Sequence, residues 1–315
     1  LNEAPDVGRK EELFLKLMQR YFREVVKRVR EFPPFQINER RAYQVRGLFE
    51  RWVARSGRRE IRVLFYPDLP HPKSAVNKIC YLNGYDTTND PSQKYDLAIH
   101  WLDETRRETD PVLDAIAKRT RVINYECRDI SKKHVDAVFR EIFGYSVMID
   151  PRTHRGPCVV KSDLNALHDG KIMVCPAKEV RQDCVYQKLI NNAVGEETVQ
   201  DIRVPVFRNR IPFVYLKDRP AEERVRFRKF NKATMVPVAS VFSGDEKEKI
   251  LAFTEKFGLD YGEVDVLRDN DDGRLYIIDV NNTPFGPPKH LHPDQSWQAL
   301  KIMGRYFGED FLDGK

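Results

Sequence analysis

Hydrophobic positions recur along this chain with two periods, and each change of period marks a new element. Between residues 9 and 30, Phe14, Leu17, Met18, Tyr21, Phe22, Val25 and Val29 recur at three- and four-residue steps, with Lys16, Arg20, Arg23, Lys27 and Arg30 between them. That spacing predicts an amphipathic helix, which Pro33 and Pro34 stop. A second helix is predicted over 39–55, carrying Tyr43, Val45, Leu48, Phe49, Trp52 and Val53. From Ile61 the texture changes. Runs at 61–66, 97–101 and 121–124 read as strands and 111–118 as a helix, the alternation of a small, mostly parallel α/β unit. Ser131 can cap a helix whose apolar face is Val135, Val138, Phe139 and Ile142, with Gly144 at its end. Strands follow at 158–161, 172–175, 185–190, 201–206 and 213–217. Ser243 and Glu246 form a capping box for a helix carrying Ile250, Leu251, Phe253 and Phe257, closed by Gly258. A last helix spans 294–307.

The most informative stretch is the acidic hairpin before that last helix. Val264, Val266, Ile278 and Val280 alternate with Glu263, Asp265, Asp279 and Asn281, around an Asp-Asn-Asp-Asp-Gly turn. Side chains two apart on a strand share a face, so Asp279 and Asn281 project together. Glu263 and Asp265 join them if odd residues pair with odd ones, a parity the sequence leaves open. Such a set of carboxylates and an amide suits magnesium, which takes one or two carboxylates, waters and phosphate oxygens. An EF-hand frame fails here, because Gly273 in the glycine slot puts Arg268 in the first ligand position. An edge hairpin with a solvated acidic face is the plainer alternative. Against it stands the exit Asn282-Thr283-Pro284-Phe285-Gly286-Pro287-Pro288, rigid and apolar, which ill suits a strand running out into water.

Composition narrows the classes. Hydrophobic residues make up 41% and charged residues 32% of 315, as in a soluble globular protein. No apolar run approaches the ~18 residues of a membrane span, and no signal-peptide pattern opens the sequence. The five cysteines are odd in number and lack metal-ligand spacing, which points to reduced thiols and a cytoplasmic setting. The net charge is +6, and residues 1–60 alone carry 15 Lys and Arg against 9 Asp and Glu. The remainder is therefore balanced, which argues against a chain-wide nucleic-acid surface. The basic helices could serve an anionic partner or membrane surface. The preferred reading is a packing or dimerising helix pair with a solvated basic rim, the second of which would make a homodimer through these helices. Residues 60–127 contain neither G-x-G-x-x-G nor a Walker loop.

A strand carrying Asp, a turn, and a strand ending acid-x-Asn-x-x-Pro resembles the metal-binding end of the ATP-grasp superfamily, and most nearly its RimK-like glutamate and peptide ligases. The resemblance spans about residues 124–290. It implies α/β and α+β architecture: two α+β subdomains clasping ATP over 128–315, a small pre-grasp α/β unit over 59–127, and a basic helical segment over 1–58. By this resemblance Asp265, Asp279 and Asn281 would hold magnesium, although the branch usually has Glu where Asp279 stands. Lys132 or Lys133, at the start of the Ser131-capped helix, would reach the ATP phosphates, and Lys161 would be the second ATP lysine. Residues 162–170 fall where the family has a glycine-rich phosphate-covering loop. Only Gly170 is glycine here, so Asn165 and His168 would supply side-chain donors instead. Gln187, Lys188, Leu189 and Ile190 resemble the adenine-lining hinge. Asp201-Ile202-Arg203-Val204 resembles a strand whose arginine faces substrate and phosphate. Arg228 and Asn231, in the basic stretch 224–232, match an Arg and an Asn near the family's site. The implied reaction is ATP- and magnesium-dependent joining of a small-molecule or peptide carboxylate to an amine through an acyl phosphate. A phosphotransferase acting on a hydroxyl and a non-catalytic nucleotide-binding protein are the alternatives.

Overall fold

The computed structural model describes residues 39–55, 59–167, 169–225 and 232–313, the side chains of 39–45 excepted. The predicted helix over 9–30, and with it His168, Arg228 and Asn231, lies outside the described residues. The chain divides into two compact units, one reaching Ile61 and including Cys80–Asp86, the other holding Arg62–Ile79 and everything from Thr87 onward. In the first unit the predicted second helix forms as α1 (Glu39–Arg55). Arg51 and Arg55 both pair with Asp86, and the Arg51 guanidinium lies 5.0 Å from the centre of the Tyr81 ring.

The second unit opens with β1 (Arg62–Pro67). Two short elements, α2 (Ala75–Leu82) and β2 (Asp86–Thr88), have no counterpart in the sequence reading, since eight and three residues hardly display a period. They are followed by β3 (Leu97–Trp101), α3 (Pro111–Ala117) and β4 (Val122–Ile123). β1, β3 and β4 pair in parallel, with Val63 opposite Leu97 and Ala98 opposite Val122. Val63, Leu64, Phe65, Ala98 and Ile99 are wholly buried, which is why these strands read as unbroken apolar runs. Asp110 caps α3, with proline in its first turn.

Next comes α4 (Lys132–Phe143), capped by Ser131 and ended by Gly144 in the left-handed region. A three-stranded antiparallel sheet follows: β5 (Gly156–Ser162) in the centre, β6 (Lys171–Cys175) and β7 (Cys184–Lys188) at its edges. The larger sheet has the order β10-β9-β8-β11-β12, from β8 (Thr198–Phe207), β9 (Val214–Pro220), β10 (Lys232–Val236), β11 (Tyr261–Arg268) and β12 (Leu275–Asn281). The capping box opens α5 (Gly244–Phe257), and α6 (Pro293–Phe311) closes the chain.

One face of the larger sheet is core. Val204, Val264, Val266, Ile277 and Val280 pack with Phe139 of α4 and Phe253 and Phe257 of α5. Each such side chain contributes about 1.5–3 kcal/mol on burial. The proline-locked exit from β12 does not run into water. Ala75 N donates to Pro284 O (3.1 Å), Gly286 N to Lys73 O (3.4 Å) and Lys78 Nζ to Gly286 O (2.6 Å). The exit is therefore stitched to the first turn of α2 and the loop before it.

Candidate active site

The opposite face of the larger sheet is polar, and its register answers the parity question. Glu263 lies opposite Asn281 and Asp265 opposite Asp279. β8 brings Arg203 opposite Asp265, and β9 brings Tyr215 opposite Arg203 and Lys217 opposite Asp201. A register shift after Asp265 pairs Val266 with Ile277, so Ile278 is an extra residue. Such a bulge lets the acidic pairs and the core pairs keep their separate faces on either side of it.

Arg203 lies on this polar face, where an arginine facing a cleft is expected, and carboxylates hold it there. Its Nε and Nη2 donate to Asp265 Oδ1 and Oδ2 (2.8 and 2.9 Å), and its Nη1 lies 3.3 Å from Glu263 Oε2. A bidentate pair of this kind fixes the carboxylate plane. Burial pushes the Asp265 carboxyl up, but Arg203 and then Lys217 outweigh it and hold it well below the usual range. Burial raises Glu263 to about 7 against the pull of Arg203. Lys217 falls to about 8, first from burial and then from Arg203. Next to this group Asp201 and Arg219 form a wholly buried ion pair.

A chamber of about 280 Å³ opens over the polar face, lined by Lys132, Lys161, Arg203, Asp265, Asp279 and Asn281 among others. Geometry separates the two lysines of α4. Lys132 is buried, lines the chamber and donates from Nζ to Leu164 O (2.7 Å), whereas Lys133 turns outward to Gln182 O (3.2 Å). Lys161, at the end of β5, lines the chamber too. Burial lowers its pKa to about 8, with Asp279 opposing and Lys132 reinforcing the fall. A narrower slot of about 40 Å³ adjoins it, lined by Lys161, Gln187, Lys188, Leu189, Ile190 and Ile278. The slot holds the predicted hinge residues and shares Lys161, Val225 and Ile278 with the chamber. Lys188 is itself held by Asp269 (2.6 Å) and Asp272 (2.8 Å), so its ammonium is already neutralised.

The segment after β5 behaves differently from a free phosphate cover. Asp163 accepts from the backbone N–H of Lys133 (2.9 Å) and pairs with Arg106, and Asn165 N donates to Thr105 Oγ1 (2.8 Å). Asn165 lines the chamber, as expected of a phosphate donor. Gly170 is required by space, because a Cβ there would sit 2.6 Å from Val225 O.

The donor set fits magnesium. Asp279 Oδ1 is buried with no hydrogen-bond partner among the described residues, and burial raises its carboxyl while Lys132 and Lys161 oppose the rise. Asp265 retains acceptor capacity beyond its two bonds to Arg203. Among the described residues no group of three or more His, Cys, Asp or Glu could hold a metal. Two carboxylates and an amide are instead the incomplete shell that magnesium shares with phosphate and water. Sequence reasoning missed Asp103, which lines the chamber from the irregular loop after β3. Nothing periodic marks that loop, so no signal was available.

No family model matches the chain, and no curated protein matches it. Solved structures do. ATP-grasp ligase PsnB complexed with minimal precursor superposes with a TM-score of 0.50 at 13% identity, over 79% of this chain and 99% of that one. The same ligase with a phosphomimetic variant of the precursor, Mg and ADP gives 0.51 at 14%, over 78% and 98%. D-alanine–D-alanine ligase from Bacillus anthracis complexed with ATP gives 0.51 at 14%, over 79% and 95%. At these identities the likeness speaks to architecture alone. The chain has the fold of the ATP-grasp superfamily.

Proposed function

We propose that the protein is an ATP- and magnesium-dependent ligase that joins a carboxylate to an amine. The observation that carries this reading is the unpartnered, buried Asp279 Oδ1 in a chamber whose other charged walls include Lys132 and Lys161. A buried carboxylate oxygen left without a donor costs free energy unless a cation completes it. Lysines on the same chamber supply the charge that polyphosphate needs.

In this reading the slot beside Gln187–Ile190 takes the adenine, and Lys161, shared by slot and chamber, marks where the phosphates pass. Lys132 and Lys161 neutralise phosphate oxygens. Asp265, Asp279 and Asn281 would hold magnesium, which when bound draws charge from the phosphates during transfer. Arg203 acts as a positioning residue by fixing Asp265. A substrate carboxylate oxygen attacks the γ-phosphorus and ADP leaves. The amine then attacks the acyl carbon, the C–O bond to phosphate breaks, and phosphate departs as the amine loses a proton. Catalysis is positioning and charge neutralisation, with no protein nucleophile.

The test is calorimetric titration of ATP with and without magnesium, on wild type and Asp279→Asn. Magnesium should tighten ATP binding in wild type and have no effect in the variant. Wild-type magnesium dependence in a folded Asp279→Asn would remove the metal assignment. Asp265→Asn is the poorer probe, because it also strips Arg203 of its bidentate partner.

A further inference from the structure

The chamber has a third wall that neither nucleotide nor metal uses. It carries Asp103, Thr283 and Phe285, with Leu164 and Leu167 lining the same space. Thr283 Oγ1 donates to Asp103 Oδ1 (3.1 Å), and the Thr283 N–H donates to Asn281 Oδ1 (3.0 Å). A short hydrogen-bonded chain thus sets Asp103 in register with the metal end of β12. One hydroxyl occupies one lone pair of the carboxylate and leaves most of its acceptor capacity free.

The same chamber also exposes apolar side chains. Phe285 is 55% exposed, Leu167 55% and Leu164 46%. Single exposed apolar residues need no explanation, but three lining one polar chamber do. Phe285 is also held in place: its backbone bridges Ser74, and its ring lies 5.4 Å edge-on from His71. A fixed carboxylate beside fixed apolar surface repels an anionic donor and suits a cation with a hydrophobic neighbour.

We infer that this wall binds the amine substrate, and that the amine is carried beside an apolar group. Asp103 accepts a hydrogen bond from the ammonium, while Phe285, Leu164 and Leu167 cover the apolar part. The inference rests on the ligase reading and adds a substrate class to it.

The test uses the full chain loaded with magnesium and the non-hydrolysable nucleotide AMP-PNP. Three probes are titrated by calorimetry: leucinamide, glycinamide, which lacks the apolar group, and 4-methylpentanamide, which lacks the amine. Leucinamide should bind about tenfold more tightly than either, the size of effect one charge-assisted bond or one apolar side chain supplies. Asp103→Asn should erase its advantage over 4-methylpentanamide, and Phe285→Ala its advantage over glycinamide. Equal binding of the three probes to wild type, or a leucinamide advantage that survives Asp103→Asn, would overturn the assignment. Failure of AMP-PNP itself to bind would bring down the ligase reading, and this inference with it.

Discussion

The two antiparallel sheets that flank the chamber are built to different standards. The five-stranded sheet packs its apolar face against α4 and α5 and knits its polar face into ion pairs: Arg203 with Asp265 and Glu263, and Asp201 with Arg219. The three-stranded sheet has only a small cluster of Cys158, Cys175, Cys184 and Tyr186 beneath it. Its edge strand β6 leaves Ile172 50% and Val174 72% exposed. One sheet therefore holds the acids in fixed geometry, and the other carries Lys161 on a lightly anchored support. Sites that must both orient and admit a large substrate gain from such a division, since local opening is cheapest where burial is least.

The sharpest way to break this contrast is to attack the network of the larger sheet. Arg203→Met leaves Asp265 and Glu263 facing each other without their shared cation, and we expect a loss of about 3–5 kcal/mol in urea unfolding. A much smaller loss would mean that the network is not what makes that sheet rigid. On the lysine side the expected effects are on binding. Lys132→Met should weaken magnesium-ATP binding roughly tenfold with little change in stability, as for one charge-assisted contact to phosphate.

A smaller effect follows from pH. Lys161 is held near 8, below its ordinary value, chiefly by burial. It is charged below that value and neutral above it, so ATP binding should weaken as pH rises from 7 to 9. Bound phosphate favours the charged form, and titrations near pH 8.5 in buffers of different ionisation enthalpy should register net proton uptake. Lys161→Met should lose both signatures. For stability alone the sign is opposite. The unfolded chain holds this proton more tightly, so the contribution of Lys161 to stability rises as pH climbs from about 8 toward 10.5. Least in size, Lys133→Ala should change ATP affinity less than about twofold, because its ammonium points to a surface carbonyl. Hydrogen exchange sharpens the comparison directly: amides of β5–β7 should exchange faster than those of β8 and β11, and slow on addition of magnesium-ATP.

Much of this was legible in advance wherever one face of an element is apolar. The capping box of α5, the Ser131 cap and left-handed Gly144 of α4, and the alternation of Glu263–Asp265 with Asp279–Asn281 appear as the sequence implies, while the bulge at Ile278 breaks it further along β12. Register parity was not legible, because it is set by the pairing of β11 with both neighbours. The ion pairing of Arg203 was hidden for a related reason. Alternation shows that it leaves the core, but only the cross-strand register shows that Asp265 is its partner. Lys132 and Lys133 look alike in sequence. Their positions separate through the helical turn, which directs one toward Leu164 O and the other toward Gln182 O. Asp103 was invisible because it belongs to no periodic element.

The exit from β12 has a further consequence. Asn281, at the end of the strand, and Phe285, stitched to Ser74, are joined by one covalent stretch of four residues. Such a stretch reaches no farther than roughly 14 Å. The acidic end of the chamber and its aromatic wall thus sit at opposite ends of a molecular ruler. Lengthening that ruler by one residue would alter which substrates can touch both marks at once, without changing a single side chain that they meet.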